Sequence, residues 1–205
     1  MAKLDAGLLS FGASGTIGKT ITYASWKGRP YARRRVIPSN PKSGGQIGVR
    51  AGMKWGSQSW GSLNTVDQDT WQAKAKALAI SPMNAYVKQG QLNLANLMAY
   101  QTTDPAVPVT LGAAPTAGAA AASGRQLLLT WTDGVSADIT QVFVYRSSTT
   151  GFTPGPSNLV QIVAQGIETW LDPVPAPGVW YYRLASGMSD GQLTTAAAQF
   201  SGTAV

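Results

Sequence analysis

The sequence predicts a chain in two parts: an α+β N-terminal domain, a β-hairpin followed by three helices, and then an all-β sandwich. Three observations predict this. β-branched and aromatic runs broken by Gly and Pro open the chain, the apolar spacing turns helical after Pro41, and from Leu127 onward it changes to the alternation of strands.

Thr16 to Tyr23 (TIGKTITY) and Tyr31 to Ile37 (YARRRVI) are β-prone runs on either side of Trp26-Lys27-Gly28-Arg29-Pro30, which predicts a hairpin. Pro38-Ser39-Asn40-Pro41 is a rigid turn. Beyond it Val49, Met53 and Trp60 fall on one face of a first helix. Gly48, Gly52 and Gly56 weaken that helix by about 1 kcal/mol each relative to Ala, yet permit close packing. Thr65 and Gln68 form a capping box for a second helix through Trp71, Ala75 and Leu78. Ser81-Pro82 starts a third, with Tyr86, Val87, Leu94, Leu97 and Met98 as apolar positions up to Tyr100. Trp55, Trp60 and Trp71 are expected in the core of this domain.

Residues 101–124 lack charge after Asp104, carry Pro105, Pro108 and Pro115, and are crowded with Ala, Gly and Ser. They read as a linker with room for an edge strand. The expected division is therefore 1–100, 101–124 and 125–205. In the last part Leu127, Leu129 and Trp131 alternate, and Val142 and Val144 alternate with Phe143 and Tyr145. LVQIVA, IETWL, VWYYRLA and LTTAAAQF follow, with turn signals at Asp133-Gly134, Pro154-Gly155-Pro156, Pro177-Gly178 and Asp190-Gly191. Such short, regularly punctuated strands predict a β-sandwich.

Composition narrows the chemistry. Charged residues are 12% of the 205, against about 25% in an average domain. There is no His and no Cys, which excludes a Ser-His triad, a thiolate nucleophile, a disulfide and a Cys or His zinc site. No cofactor is expected. The net charge of +7 is uneven: residues 1–60 carry ten Lys/Arg and one acid, Asp5, whereas residues 111–205 carry three and five. Clustered cations point to a polyanionic partner, although a solvated basic face is the plainer alternative. MAKLDAGLLSFG does not read as a secretory signal, and no run of about 18 apolar residues suggests a membrane span. A soluble protein is expected.

Ala13-Ser14-Gly15-Thr16-Ile17-Gly18-Lys19-Thr20 satisfies a relaxed phosphate-loop pattern, in which Lys19 would reach a terminal phosphate and Thr20 would ligate magnesium. Its context argues against that use. LLSF is barely a strand, and ITYASWKGRP holds β-branched residues, Gly28 and Pro30 where a helix would have to begin. Gly18-Lys19-Thr20 is expected to begin a strand instead. Asp67 and Asp69 suit a helix start, Asp138, Asp172 and Asp190 suit turns, and Glu168 stands alone in a strand. No catalytic pair emerges.

The stretch from Gly12 to Tyr100 resembles a phage-encoded, virion-associated protein family in the order of its motifs. These are Gly15-Thr16-Ile17-Gly18-Lys19 through Tyr23, Trp26-Lys27-Gly28, Tyr31 with Arg33-Arg34-Arg35, Asn40-Pro41-Lys42, Gln46, Arg50, Trp60 with Leu63, Trp71, and Ser81, Asn84 and Tyr86. The second part is similar to fibronectin type III and immunoglobulin-like modules. Leu127 to Trp131 matches their second strand, and Trp180 to Leu184 their sixth, with Tyr182 as the tyrosine corner. The Pro173 to Pro177 stretch departs from the pattern by its length.

The resemblance implies a virion-associated or hypothetical phage protein. With the uneven charge, the missing catalytic residue types and the appended sandwich, the expectation is a virion structural protein, a capsid decoration with tail or baseplate as the alternative placement, docked on the major capsid or tail protein and, by repetition on the particle, a homo-oligomer. The surface expected to dock is Trp26, Lys27, Arg29, Tyr31, Arg33, Arg34 and Arg35, since Arg and aromatic residues dominate interface energetics. On a strand Arg33 and Arg35 point one way and Arg34 the other. Arg33 to Arg35 with Trp26, Tyr23 and Tyr31 would alternatively bind nucleic acid, with rings on bases and cations on phosphates. A host-surface glycan is a further expected partner of the sandwich, through Trp170 or Trp180.

Overall fold

The computed structural model describes residues 3–4, 13–27, 29–37, 40 and 42–205. The chain divides into two compact units, Met1–Pro41 and Lys42–Val205.

The first unit is an antiparallel meander of β1 (Lys3–Leu4), β2 (Ala13–Ile17), β3 (Ile21–Trp26) and β4 (Arg29–Arg34), in that spatial order. The run read as one strand over Thr16 to Tyr23 is two. Gly18 and Lys19 both hold φ near 58°, and Thr20 N–H donates to the Ile17 carbonyl at 3.1 Å. Two consecutive positive φ values are what a tight primed turn between twisted strands requires, and Gly18 adopts one without steric cost. Gly18-Lys19-Thr20 is therefore a hairpin turn; it neither begins a strand nor leads into a helix as a phosphate loop must. The second hairpin pairs Trp26 with Arg29. Among the described residues of this unit, none has a buried side chain.

The second unit joins helices and sandwich. Its helices are α1 (Gly44–Trp60), α2 (Thr65–Thr70), α3 (Gln72–Leu78) and α4 (Pro82–Ala95). The expected second helix is broken at Trp71 into α2 and α3. Its cap is Asn64, whose side chain accepts from Asp67 N–H at 2.8 Å, whereas Gln68 turns back to donate to the carbonyls of Trp60 and Leu63. Ser81 caps α4 as expected, accepting from Asn84 N–H, with Pro82 in the first turn.

The buried face of α1 is the glycine face. Gly48, Ala51, Gly52, Gly56 and Ser59 are buried, while Val49 and Met53 are about half exposed. The inward face is shifted away from the expected Val49 and Met53, while Trp60 stays partly buried, and contact distance explains why. A Cβ on Gly48 would overlap the Pro156 carbonyl, and one on Gly52 would overlap Leu94, so the bare helix backbone lies directly on the loop before β8 and on α4. A Val or Met on that side would hold the layers apart.

Seven strands follow: β5 (Thr116–Ser123), β6 (Gln126–Thr132), β7 (Ile139–Ser147), β8 (Leu159–Ala164), β9 (Thr169–Asp172), β10 (Gly178–Met188) and β11 (Phe200–Ala204). They form two antiparallel sheets, β11-β10-β7-β8 and β5-β6-β9. This is an immunoglobulin-like sandwich with the connectivity of a fibronectin type III module. Part of the expected linker is its edge strand, because β5 is held by ladder bonds to β6 and needs no large side chains of its own. The run LTTAAAQF is not one strand. It bonds to β10 only at intervals, through Thr194 N–H to Ser186 and Ala197 N–H to Leu184, and becomes regular at Phe200.

β7 is buried on both faces. Val142 and Val144 point into the sandwich with Leu127, Leu129, Trp131 and Leu184. Phe143 and Tyr145 point outward into a second core with Trp71, Tyr86, Leu94 and Tyr100, so the helices form a third layer on the outer face of the β7–β10 sheet. Tyr86 lies at the centre of that layer, 5.5, 5.3 and 5.4 Å from the rings of Trp60, Trp71 and Tyr100. Trp55 and Trp60 are partly buried against it and Trp71 is fully buried. Residues 99–109 are bound on both sides: Ala99 and Thr102 N–H donate to Gly191 and Ser189, and Trp71 Nε1 donates to the Thr102 carbonyl at 3.0 Å. Helices and sandwich thus share one compact unit, and the break in the chain falls after Pro41 rather than along 101–124.

Two predictions follow from this packing. In Gly90→Ala the new methyl would meet the Tyr100 ring, whose hydroxyl is pinned to the Gly52 carbonyl, and the urea midpoint should fall by the equivalent of about 1–3 kcal/mol. Gly45→Ala, with nothing within 4 Å, should raise it by up to about 1 kcal/mol. Burial raises the Tyr86 phenol to about 12, opposed by its Ser59 hydrogen bond, and pushes Tyr100, Tyr145 and Tyr182 up as well. The unfolded chain ionises these phenols near pH 10, so stability should be complete below that pH and fall as pH rises through it, read as a urea midpoint at each pH.

Candidate functional site

The register of the N-terminal sheet sorts its side chains into two faces. In antiparallel strands, residues directly opposite share a face and successive residues alternate. Thr16 opposes Thr22, Thr22 opposes Arg33, Ala24 opposes Tyr31, and Trp26 opposes Arg29. The 3.1 Å contact between the Thr16 and Thr22 hydroxyls marks this as one face. It gathers Trp26, Arg29, Tyr31 and Arg33. Ile17, Ile21, Tyr23 and Arg34 occupy the opposite face by the same register.

Six of the seven residues expected to dock lie on β3, β4 and the turn between them; Arg35 lies one residue past β4, its N–H bonded to the Thr20 carbonyl at 2.6 Å. All seven are exposed, Trp26 at 66% and Tyr31 at 40%. Lys27 sits at φ 49° with its ammonium 4.8 Å from the Trp26 ring centroid, a cation–π contact worth about 0.5–1 kcal/mol at an exposed site. The structure thus brings together Trp26, Lys27, Arg29, Tyr31 and Arg33 and turns Arg34 away. Arg35 lies just beyond β4, outside the paired register that sorts the other side chains into faces.

Charge adds to the geometry. Residues 13–41 contain six Lys/Arg and no acid, and no acid occurs between Asp5 and Asp67. Ile17, Ile21, Val36 and Ile37 were not singled out in the sequence, yet they are 41, 43, 72 and 76% exposed within this basic segment. Strand alternation about the turn at residues 18–20 would have placed the first two.

Several polar and charged side chains of the second unit are engaged in its own fold. Asp172 ends β9, and is not in a turn: it is buried, accepting from Arg146 Nη1 at 2.6 Å and from the Tyr182 hydroxyl at 2.6 Å. Burial and then the Asp172 carboxylate push the Tyr182 phenol far up. The Tyr182 hydroxyl thus bonds to a side-chain carboxylate and not, as a tyrosine corner would, to the backbone. The Trp180 ring lies 5.0 Å from the Arg146 guanidinium and its Nε1 donates to Ala176, while Trp170 packs on the sandwich core. Glu168 precedes β9 and accepts from Asp133 N–H. Asp190 closes its own turn onto Gln192 and holds Val109 N–H; these bonds outweigh burial and lower its pKa.

A groove of about 450 Å³ opens between residues 114–118 and 197–200; its lining is mostly small and apolar, with Thr116 and Gln199 as polar members and no charged group. Among the described residues no group of three or more His, Cys, Asp or Glu could hold a metal ion, and no helix is long and apolar enough to cross a membrane.

No protein-family model matches the chain, and no curated protein matches it significantly. Solved structures do resemble it. A β-1,2-glucanase from Parabacteroides distasonis is similar over 50% of this chain at 18% identity with a TM-score of 0.42, but the chain covers only 14% of that enzyme. A fibronectin type III-like protein from Clostridium thermocellum matches 44% of the chain and 90% of its own length, at 22% identity and a TM-score of 0.35. The fibronectin type III domain of the human fibronectin type III domain containing protein 3 matches 48% and 90%, at 10% identity and 0.36.

Because Asp172 holds two buried partners, Asp172→Ala would strand the Arg146 charge and the Tyr182 hydroxyl. It should cost about 3–5 kcal/mol in urea unfolding.

Proposed function

We propose that this chain is a phage virion structural protein, a capsid decoration subunit that docks through its basic N-terminal segment and carries the sandwich as its projecting part. One observation carries the reading: a sheet with six cations, no acid and no buried side chain among its described residues exposes Trp26, Tyr31, Ile17 and Ile21 to solvent. A four-stranded sheet without a hydrophobic face covered by something is not stable by itself, so its aromatic and aliphatic residues call for a neighbour. The charge requires that neighbour to be acidic. The phage-like motif order from Gly15 to Tyr86 supports a capsid or tail subunit as that neighbour, and copies of the chain would repeat with the symmetry of the particle.

The role is attachment, without bond making. Arg29, Arg33 and Arg34 would pair with carboxylates, Trp26 and Tyr31 would fill pockets between them, and helices and sandwich would act as one rigid body. A nucleic-acid partner would use Trp26, Tyr31 and the arginines equally well, but offers little to Ile17, Ile21, Val36 and Ile37. Aliphatic residues in the basic segment therefore favour a protein surface.

Mass spectrometry of gradient-purified particles should find the chain in many copies; particles that lack it would overturn the proposal. In parallel, the purified chain at about 50 mM salt should bind poly-L-glutamate, and Arg33→Glu should weaken that binding severalfold. Tighter binding of a dT20 oligonucleotide than of poly-L-glutamate would favour the nucleic-acid reading.

A further inference from the structure

We infer that the N-terminal sheet is clasped on both faces, seated between two neighbouring acidic protein surfaces rather than laid with one face on a single partner. This rests on the docking role proposed above and specifies how that docking is made.

The register assigns Trp26, Arg29, Tyr31 and Arg33 to one face and Ile17, Ile21, Tyr23 and Arg34 to the other. Each face combines arginine with apolar residues, the composition of an interface centre. Neither face is covered: Trp26 and Tyr31 are 66 and 40% exposed on the first, and Ile17 and Ile21 are 41 and 43% exposed on the second. Docking by the first face alone would leave a cross-strand isoleucine pair and an arginine in water. Docking by the second alone would leave the most exposed aromatic residue of the sheet unused.

Charge selects the occupant of both faces. With six cations and no acid in residues 13–41, a second copy of the sheet stacked on either face would set like charges together. The β4 edge carries Arg33 and Arg34, which discourages strand addition by another copy. Phosphates would satisfy the arginines but give the isoleucines nothing. An acidic protein surface with apolar pockets satisfies both, and it must be presented twice. Adjacent subunits of a repeating particle do that at every junction.

The test places the photo-cross-linker p-benzoylphenylalanine at Tyr31 on one face and, separately, at Tyr23 on the other, in full-length chain incorporated into particles. Aromatic replaces aromatic, so folding is little disturbed, and the melting temperature of each variant checks this. Both positions should cross-link to particle subunits, and the two sets of acid-containing peptides should differ. Ile21→Glu and Arg33→Glu, one from each face, should each reduce copies per particle by about tenfold. Cross-links from only one position, one shared peptide set, cross-links to nucleic acid, or cross-links to residues 42–205 of the same chain would overturn the two-faced clasp while leaving attachment to the particle intact. A chain missing from the particles would overturn the clasp and the virion role together.

Discussion

The packing of the helices on the outer face of β7 and β10 is the constraint from which the rest follows. Phe143 and Tyr145 are buried under Trp71, Tyr86 and Tyr100, while Val142 and Val144 fill the sandwich behind them. One strand therefore serves two cores. The helical layer seals a face that a free-standing module would keep in water, and α1 pays for its close approach with glycines where Val or Met would otherwise stand. Buried aromatic and aliphatic groups thus satisfy one another inside Lys42–Val205, and the buried polar groups Asp172, Arg146 and Tyr182 close on themselves. What this unit spends on its own stability it does not offer to a partner.

The N-terminal sheet has the opposite economy. It buries no described side chain, and its cations have no acid within the segment to offset them. Two cations about 6 Å apart in water repel by roughly 0.7 kcal/mol, so gathering several on one small sheet opposes its order until an acidic surface neutralises them. Apolar residues beside the arginines give such a surface something to bury, which converts attraction at a distance into a seated contact. In the proposed docking, recognition and ordering would be one event, because the segment that carries the charge also buries no described side chain of its own.

Much of this was legible in the sequence. Alternation at Leu127, Leu129 and Trp131 and the turn signals between runs identify the sandwich, and Ser81-Pro82 marks the start of α4 to the residue. The double burial of β7 was written in Gln141 to Tyr145, where apolar residues occupy both parities, but alternation alone does not say that a second layer covers the outer face. α1 misled because large apolar residues ordinarily mark the inward side; here backbone approach decided it, and glycine spacing was the true signal. Asn64 and Thr65 are both good caps, and only the bond to Asp67 N–H distinguishes them. At the proposed docking surface the residue types were readable, and so was the opposition of Arg33 and Arg34. The aliphatic contribution of Ile17 and Ile21 was hidden by the turn at Gly18-Lys19, without which their strands have no defined phase.

Hydrogen exchange of the full chain, free and bound to particles, tests this division most directly. If the N-terminal sheet has no core of its own, amides of residues 13–37 should exchange within seconds in the free chain while those of α4 and β7 stay protected for far longer, and protection over 13–37 should appear only on the particle. Equal protection of residues 13–37 and of β7 in the free chain would contradict the account.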